Sequence, residues 1–425
     1  MLMTYSADFE KALQIGRAPN IAELFPDSKA LIVSGKVIDR AMAAKGKAIA
    51  MAANGRNSFA IAGALQAAQK ANSAIIIEIA KSESTYCAVN FWNIASVVNT
   101  ICNTLKITIP VAIHADHYGI KNAEDIEKAK VEIPKMFNAG ITSIAIDASH
   151  MPDADNLLAC IELAQYVPSW AGLEVEVGEI KGKEGLSTVD EALFLIQGLN
   201  AHDIHPEWIA LNNGTTHGIE ATGGGIQTEL TADIHNALVP YGVDGAQHGT
   251  SGNSFDKLRK IAAETNTTKA NVATALMMIS WGVKVNDYGN AEQDADKEFI
   301  KLPGKGATDE LWNEMVAHAK ANDWSGGNYK KLCLPFELQL LNQPTEVQER
   351  MAELVKDFAF HMISEVFNGT NSADLAIQAI LNAGSFDPGP KSQRIEDPAD
   401  WTQDKIIERA KSLVVDEGPA GDFDD

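Results

Sequence analysis

Three histidines in this chain each close an apolar run: His117 in VAIHADHYG (Val111 to Gly119), His217 in ALNNGTTHG (Ala210 to Gly218) and His248 in VDGAQHGTSG (Val243 to Gly252). A strand followed by a helix occupies about thirty residues, so histidines recurring at multiples of that spacing reach the same edge of one parallel barrel. Neutral imidazoles converging there make a metal site. With three protein ligands the fourth position of a tetrahedral ion stays open to water or substrate, the pattern of a catalytic rather than a structural zinc.

Acidic groups surround these positions. Strand alternation puts His114 and Asp116 on one face, opposite Ile113 and Ala115. In LEVEVG, Glu174 and Glu176 likewise share a face, with Asp147 and Ser149 ending the run before it. A carboxylate inside a barrel is costly unless something uses it, and a salt bridge to an internal lysine is the structural alternative to a catalytic role. Downstream, Gly178, Gly182 and Gly185 bracket Glu179, Lys183 and Glu184, the composition of a mobile lid. His217 and His248 are followed by Gly218 and Gly249, and HGTSG adds the Ser251 hydroxyl; glycine exposes backbone N–H groups that form an anion-binding concavity.

The elements that must hold these groups read as βα units. Apolar runs fall at Ala48 to Ala53, Ala74 to Ala80, Ile109 to Ala115, Ile141 to Asp147, Ala171 to Gly178, Glu207 to Asn213, Gly242 to His248 and Trp281 to Asn286, with helical periodicity between them. Such a cadence predicts an α/β fold, a (β/α)8 TIM barrel over 46–295. It follows a helical N-terminal cap, 1–45, and precedes a helical C-terminal extension, 296–415, and an acidic disordered tail, 416–425. A doubly wound open sheet is the competitor, and it usually needs fewer strands.

Composition narrows the function. With 35 Lys and Arg against 57 Asp and Glu, the net charge of −22 argues against nucleic acid or an anionic membrane as partner. An anionic substrate must be held by local groups against that field. Four cysteines without C-x-x-C spacing read as reduced, buried thiols, and neither a signal peptide nor an apolar run of spanning length is visible, which points to the cytoplasm.

These segments, in this order, make the chain similar to the class II, metal-dependent fructose-bisphosphate aldolases, over roughly Gly46 to Asn290. The resemblance rests on H-x-D-H at His114, Asp116 and His117, the E-x-E-x-G strand and loop ending at Glu184, T-H-G at His217, H-G-x-S-G at His248, and K-x-N at Lys284 and Asn286. It implies His117, His217 and His248 as zinc ligands, Glu176 at a second divalent or monovalent cation position, and Asp116 as acid/base on the substrate hydroxyl. It further implies Glu184 as the loop residue that moves protons, Asn286 as a contact to the ketose, and Gly218, Gly249 and Ser251 as the phosphate seat. The implied reaction is reversible cleavage of fructose 1,6-bisphosphate to dihydroxyacetone phosphate and glyceraldehyde 3-phosphate through a metal-stabilised enediolate, in a homodimer or homotetramer.

The sequence departs from the family after His217-Gly218, where Ile219, Glu220 and Ala221 replace an aromatic-Lys pair. It departs also at Ala80, where a small hydroxyl residue is expected, and after Asn286, where N-D-Y-G replaces N-x-D-T. Lys81, Arg56 and Lys183 are the candidates to restore positive charge. Other readings are an aldolase for another ketose phosphate of the tagatose bisphosphate type, a metal-dependent hydrolase, whose first strand would carry H-x-H, and a non-catalytic sugar-phosphate-binding relative.

Overall fold

In the computed structural model, which describes residues 6–178, 185–215 and 225–413, eight parallel strands close into a barrel in sequence order. They are β1 Ala50–Asn54, β2 Ile75–Ala80, β3 Val111–Gly119, β4 Ser143–Asp147, β5 Gly172–Val177, β6 Trp208–Leu211, β7 Asp244–Gln247 and β8 Thr267–Val272. Three helices precede them: α1 Ala7–Ile15, α2 Pro19–Leu24 and α3 Gly35–Lys45. The strands are joined by α4 Ser58–Ala71, α5 Ile94–Leu105, α6 Ala123–Asn138, α7 Asp153–Ala164, α8 Val189–Ala201, α9 Thr228–Leu238 and α10 Phe255–Glu264. After β8 come α11 Thr274–Trp281, α12 Asp309–Ala321, α13 Cys333–Leu341, α14 Thr345–His361, α15 Ser372–Ala383 and α16 Gln403–Ala410. The fold is the (β/α)8 barrel that the cadence predicts.

Seven of the strands overlap the apolar runs, and the eighth does not. Trp281 to Asn286 is not a barrel strand: Trp281 ends α11, and Asn286 lies in a turn where its Oδ1 accepts from the amides of Tyr288 and Asn290. The last strand is the polar segment TTKANV, paired with β7 on one side and β1 on the other. Apolarity misleads here because α11, TALMMISW, is buried almost throughout between the barrel and the helices after it, whereas β8 turns Lys269 and Asn271 towards a charged lumen.

The lumen has two halves. Ala50, Ala52, Ile76, Ala112, Trp208, Ala210 and Ala246 fill the end where the strands begin, and Val37, Ile38, Ala41 and Met42 of α3 plug it. Gly35 allows that plug to seat, since a Cβ there would lie 2.6 Å from the Ser143 Cβ. The end where the strands finish is lined with charge and carries the site. Outside the barrel, α14 lies along α4, and Gly63 permits the approach: its Cβ would fall 2.4 Å from the Ala352 carbonyl oxygen. A second apolar cluster joins Met277, Met278 and Trp281 to Phe299, Trp312, Tyr329 and Leu332, fastening the region after 296 to the barrel. All four cysteines are buried free thiols, and among the described residues no helix is long and apolar enough to cross a membrane.

Candidate active site

The site begins with an irregularity in β3. Alternation alone would send His114 and Asp116 inward and His117 outward. The β3–β4 register shifts between Ala115 and Tyr118, and His117 adopts φ 42°, a left-handed conformation uncommon for a residue with a side chain. The bulge turns consecutive residues, Asp116 and His117, into the same mouth. His117 Nδ1 lies 3.2 Å from Glu176 Oε1 and 3.7 Å from Asp147 Oδ2, and its ring centroid is 4.4 Å from that of His248.

Beneath these groups a lysine is enclosed by acids. Lys269 is fully buried, with Nζ 2.8 Å from Glu174 Oε2, 3.4 Å from Asp116 Oδ1 and 3.4 Å from Glu78 Oε2. This is the internal lysine weighed above as the alternative use for the barrel carboxylates, and Glu174 is its closest partner. Burial alone would raise the Asp116 carboxyl, but Lys269 and then the imidazoles of His117 and His248 pull it well below the usual carboxylate range. Asn271 Nδ2 donates to Asp116 Oδ2 at 3.0 Å and fixes the orientation of the carboxylate. Glu78 is shifted the other way, well above the usual range, by burial and by the nearby Asp116. Burial and Lys269 lower the His114 pKa, so this ring is neutral, and its Nδ1 lies 2.9 Å from Ser143 Oγ.

The donor set fits a cation. His248 Nε2 lies 2.8 Å from Glu174 Oε1, while Nδ1 is buried and has no hydrogen-bond partner among the described residues. A ring held at one nitrogen by a carboxylate and free at the other is how proteins orient an imidazole towards a metal. One atom each of Asp116, His117 and His248 lies within 4.8 Å of the others; the same holds for His117, Asp147 and Glu176, and for Glu174, Glu176 and His248. Burial and Asp147 raise the Glu176 pKa, which a cation beside it would reverse.

A cavity of about 330 Å³ opens over these groups. Asp116, His117, His248, Gly249, Thr250, Ser251 and Asn271 line its inner part. Among the described residues the amides of Gly249, Thr250 and Ser251 donate no hydrogen bond, and Gly249 has φ 62°, so the loop after β7 keeps backbone donors for an anion. Arg56, just after β1, also lines the cavity; Glu83 Oε1 accepts from its Nε at 2.6 Å and Thr274 Oγ1 from its Nη1 at 3.1 Å. Lys81 turns elsewhere, donating to the Gly119 carbonyl at 2.8 Å beside the Tyr118 ring.

The structure thus brings together Asp116, His117, His248 and Glu176, with Gly249 and Ser251 on the cavity wall. It leaves Asn286 off that wall, and Asn271, on the wall, bonds the Asp116 carboxylate. His217, Gly218, Lys183 and Glu184 lie outside the described residues. Asn213, at the end of the described residues after β6, is tied to β7 by an amide pair, its Nδ2 donating to Gln247 Oε1 at 2.8 Å. The sequence reasoning missed Lys269, Asn271 and Glu78. The signal for Lys269 and Asn271 was available in T-K-A-N, a K-x-N pattern on a strand.

Residues 36–323 match the family model for class II fructose-bisphosphate aldolase. A 6-phospho-5-dehydro-2-deoxy-D-gluconate aldolase from Halalkalibacterium halodurans is 30% identical over 249 residues, covering 56% of this chain and 80% of that protein. A fructose-bisphosphate aldolase from Mycoplasma pneumoniae is 28% identical over 270 residues, covering 61% and 88%. One from Staphylococcus aureus is 32% identical over 131 residues, but that match spans only 42% of its length and 31% of this chain. Among solved structures, the YdjI aldolase of Escherichia coli K12 superposes with a TM-score of 0.54 at 17% identity, covering 80% of this chain and 99% of that one, a likeness of fold.

Proposed function

The chain belongs to the class II fructose-bisphosphate aldolase family, and from that premise we propose that it is a zinc-dependent aldolase that reversibly cleaves fructose 1,6-bisphosphate to dihydroxyacetone phosphate and glyceraldehyde 3-phosphate. Family membership makes it a lyase acting on a small phosphosugar, and class II aldolases are metal-dependent. The observation that carries the specific reading is Asp116, a buried carboxylate kept ionised by Lys269, aimed by Asn271, and set against two imidazoles at the barrel mouth.

His117 and His248, with His217 as the third, are the residues that would hold zinc, and Glu176 would serve a second cation position. When bound, the ion supplies Lewis acidity for the charge that develops on the carbonyl oxygen, worth several kcal/mol. Asp116 takes the proton from the C4 hydroxyl as the C3–C4 bond breaks. The bonding pair passes to C3 of the ketone half, and the aldehyde carbonyl forms at C4. Glu184 delivers a proton to C3, and in condensation Asp116 returns its proton to the new hydroxyl. Free amides at 249–251, the Ser251 hydroxyl and Gly218 seat the phosphate of the three-carbon ketone, and Asn271 takes the place beside the ketose that the resemblance assigned to Asn286.

Asp116→Ala is expected to lower kcat by at least 1000-fold, the upper part of what general acid–base catalysis contributes together with lost positioning, while zinc content stays that of the parent. Loss of metal along with activity would make Asp116 a ligand or a structural residue. Because the chain also matches a phosphorylated keto-acid aldolase over 80% of that relative, cleavage of such a substrate is the second reading, and a panel of fructose and tagatose bisphosphates and phosphorylated keto acids separates the two.

A further inference from the structure

Beyond α11 the chain makes a narrow antiparallel excursion at the barrel mouth, bridged at Val285 to Ala291, Val283 to Lys301 and Gln293 to Phe299. Its tip, N-D-Y-G-N, is a turn built on Asn286. The Asn286 amide donates to the Asn290 carbonyl at 2.9 Å, and its side-chain Oδ1 accepts from the amides of Tyr288 at 2.9 Å and Asn290 at 3.1 Å. An asparagine that bonds the backbone two residues on closes such a turn, and Gly289 supplies the φ of 70° that the reversal needs. The tip is also fastened to the loop after β7. The Gly252 amide donates to the Tyr288 carbonyl at 2.9 Å, and a Cβ on Gly289 would lie 3.8 Å from the Ser251 Cα.

Held this way, Gly289, Asn290 and Ala291 lie on the cavity wall that Ser251 and Asn271 also line. Asn290 is 7% exposed, and its Oδ1 is buried with no hydrogen-bond partner among the described residues. A buried polar atom left unpaired is costly, so this part of the wall is complete only when something donates to it. The chemistry of the donor follows from the acceptor. A hydroxyl can donate to an uncharged amide oxygen, whereas a phosphate dianion or a carboxylate offers it nothing but further acceptors.

We propose that Asn290 is a substrate-binding residue, its Oδ1 accepting from a hydroxyl of the sugar chain beside the phosphate seat, and that Asn286 is the positioning residue that holds it there. This rests on the aldolase reading above. The contact that the resemblance assigned to Asn286 in this segment is then made four residues further on, and Asn286 acts through the turn.

The test compares fructose 1,6-bisphosphate with its 3-deoxy and 5-deoxy analogues on the metal-reconstituted full chain. In Asn290→Ala the preference in kcat/KM for the fully hydroxylated substrate over one of the two analogues should fall by about 3- to 10-fold, the range of one neutral hydrogen bond. Asn290→Leu, close to asparagine in volume, should lose the same preference, which separates the bond from packing. Asn286→Ala should lose it with Asn290 in place, and Asn286→Asp, which keeps an acceptor for the two turn amides, should restore it. Equal losses for the substrate and both analogues, or unchanged ratios in Asn290→Ala and Asn290→Leu, would overturn the proposal. Equilibrium binding of the three ligands is measured in parallel. A parent protein that prefers the hydroxylated ligand, with the preference lost in Asn290→Ala, but that cleaves nothing, would keep the contact and sink the aldolase reading. A parent that cleaves the substrate yet treats all three ligands alike would sink the contact and leave that reading standing.

Discussion

Replacing Lys269 by methionine, which keeps the volume and removes the charge, should be among the most damaging single changes available in this barrel. Lys269 Nζ faces Glu174 at 2.8 Å and Asp116 and Glu78 at 3.4 Å each. Burial raises the Glu78 carboxyl well above the usual range, whereas Asp116 and Glu174 are held below theirs, so the charges the lysine chiefly compensates are those on Asp116 and Glu174. At an effective dielectric near 20 the two contacts are worth about 6 and 5 kcal/mol, and removing the lysine saves several kcal/mol of ammonium desolvation. The net loss should then be about 3–5 kcal/mol at pH 7, as for other buried pairs that lose one partner. Its pH dependence follows from the sign of the shifts. Asp116 and Glu174 are held below their unfolded values, so the stability they confer is present above roughly pH 4–4.5 and is lost as the pH falls through the folded values. The variant lacks that contribution and gains stability when its stranded carboxylates protonate, so the difference from the parent should shrink from pH 8 towards pH 4. Urea unfolding of both proteins across that range is the assay, with Lys269→Met/Glu174→Gln expected to recover part of the loss. A deficit below about 1 kcal/mol at pH 7, or the same deficit at both ends of the range, would refute the charge argument and leave a packing effect.

Glu207, buried at the start of β6 with the Leu173 amide donating to its Oε2 at 2.9 Å, is pushed up to about 7 by burial. A carboxyl raised in the folded state stabilises fully below its unfolded pKa and loses that contribution as pH rises through the folded value, up to about 3 kcal/mol between pH 4.5 and 7. Glu207→Gln should flatten that part of the stability profile, and thermal midpoints that keep the parent's slope would contradict it. Chelation should abolish aldol cleavage and added zinc restore it, while borohydride added with substrate should leave no adduct by mass spectrometry. A lysine adduct would mean a Schiff base and would remove the metal from the chemistry.

The barrel was legible in the sequence because most of its strands are apolar and alternate with amphipathic helices; what escaped was the strand that does not obey that economy. β8 carries Lys269 and Asn271 into a lumen already filled with Glu78, Asp116 and Glu174, and it is the charge of Lys269 opposite those carboxylates, not apolarity, that makes its burial tolerable. A single-strand hydropathy reading cannot detect this, since the compensating carboxylates lie on β2, β3 and β5. The same limit hid the geometry of His117. The letters H-x-D-H are visible, but that consecutive residues enter one mouth depends on a register shift and a left-handed φ that no local pattern announces. Lys330 is the extreme case, more than two hundred residues from Asp116 in sequence and brought to the same cavity by the aromatic packing of Tyr329, Phe299 and Trp312. Chemistry-bearing residues on apolar strands are recoverable from spacing; Lys269 and Asn271, whose burial depends on carboxylates that other strands supply, are not.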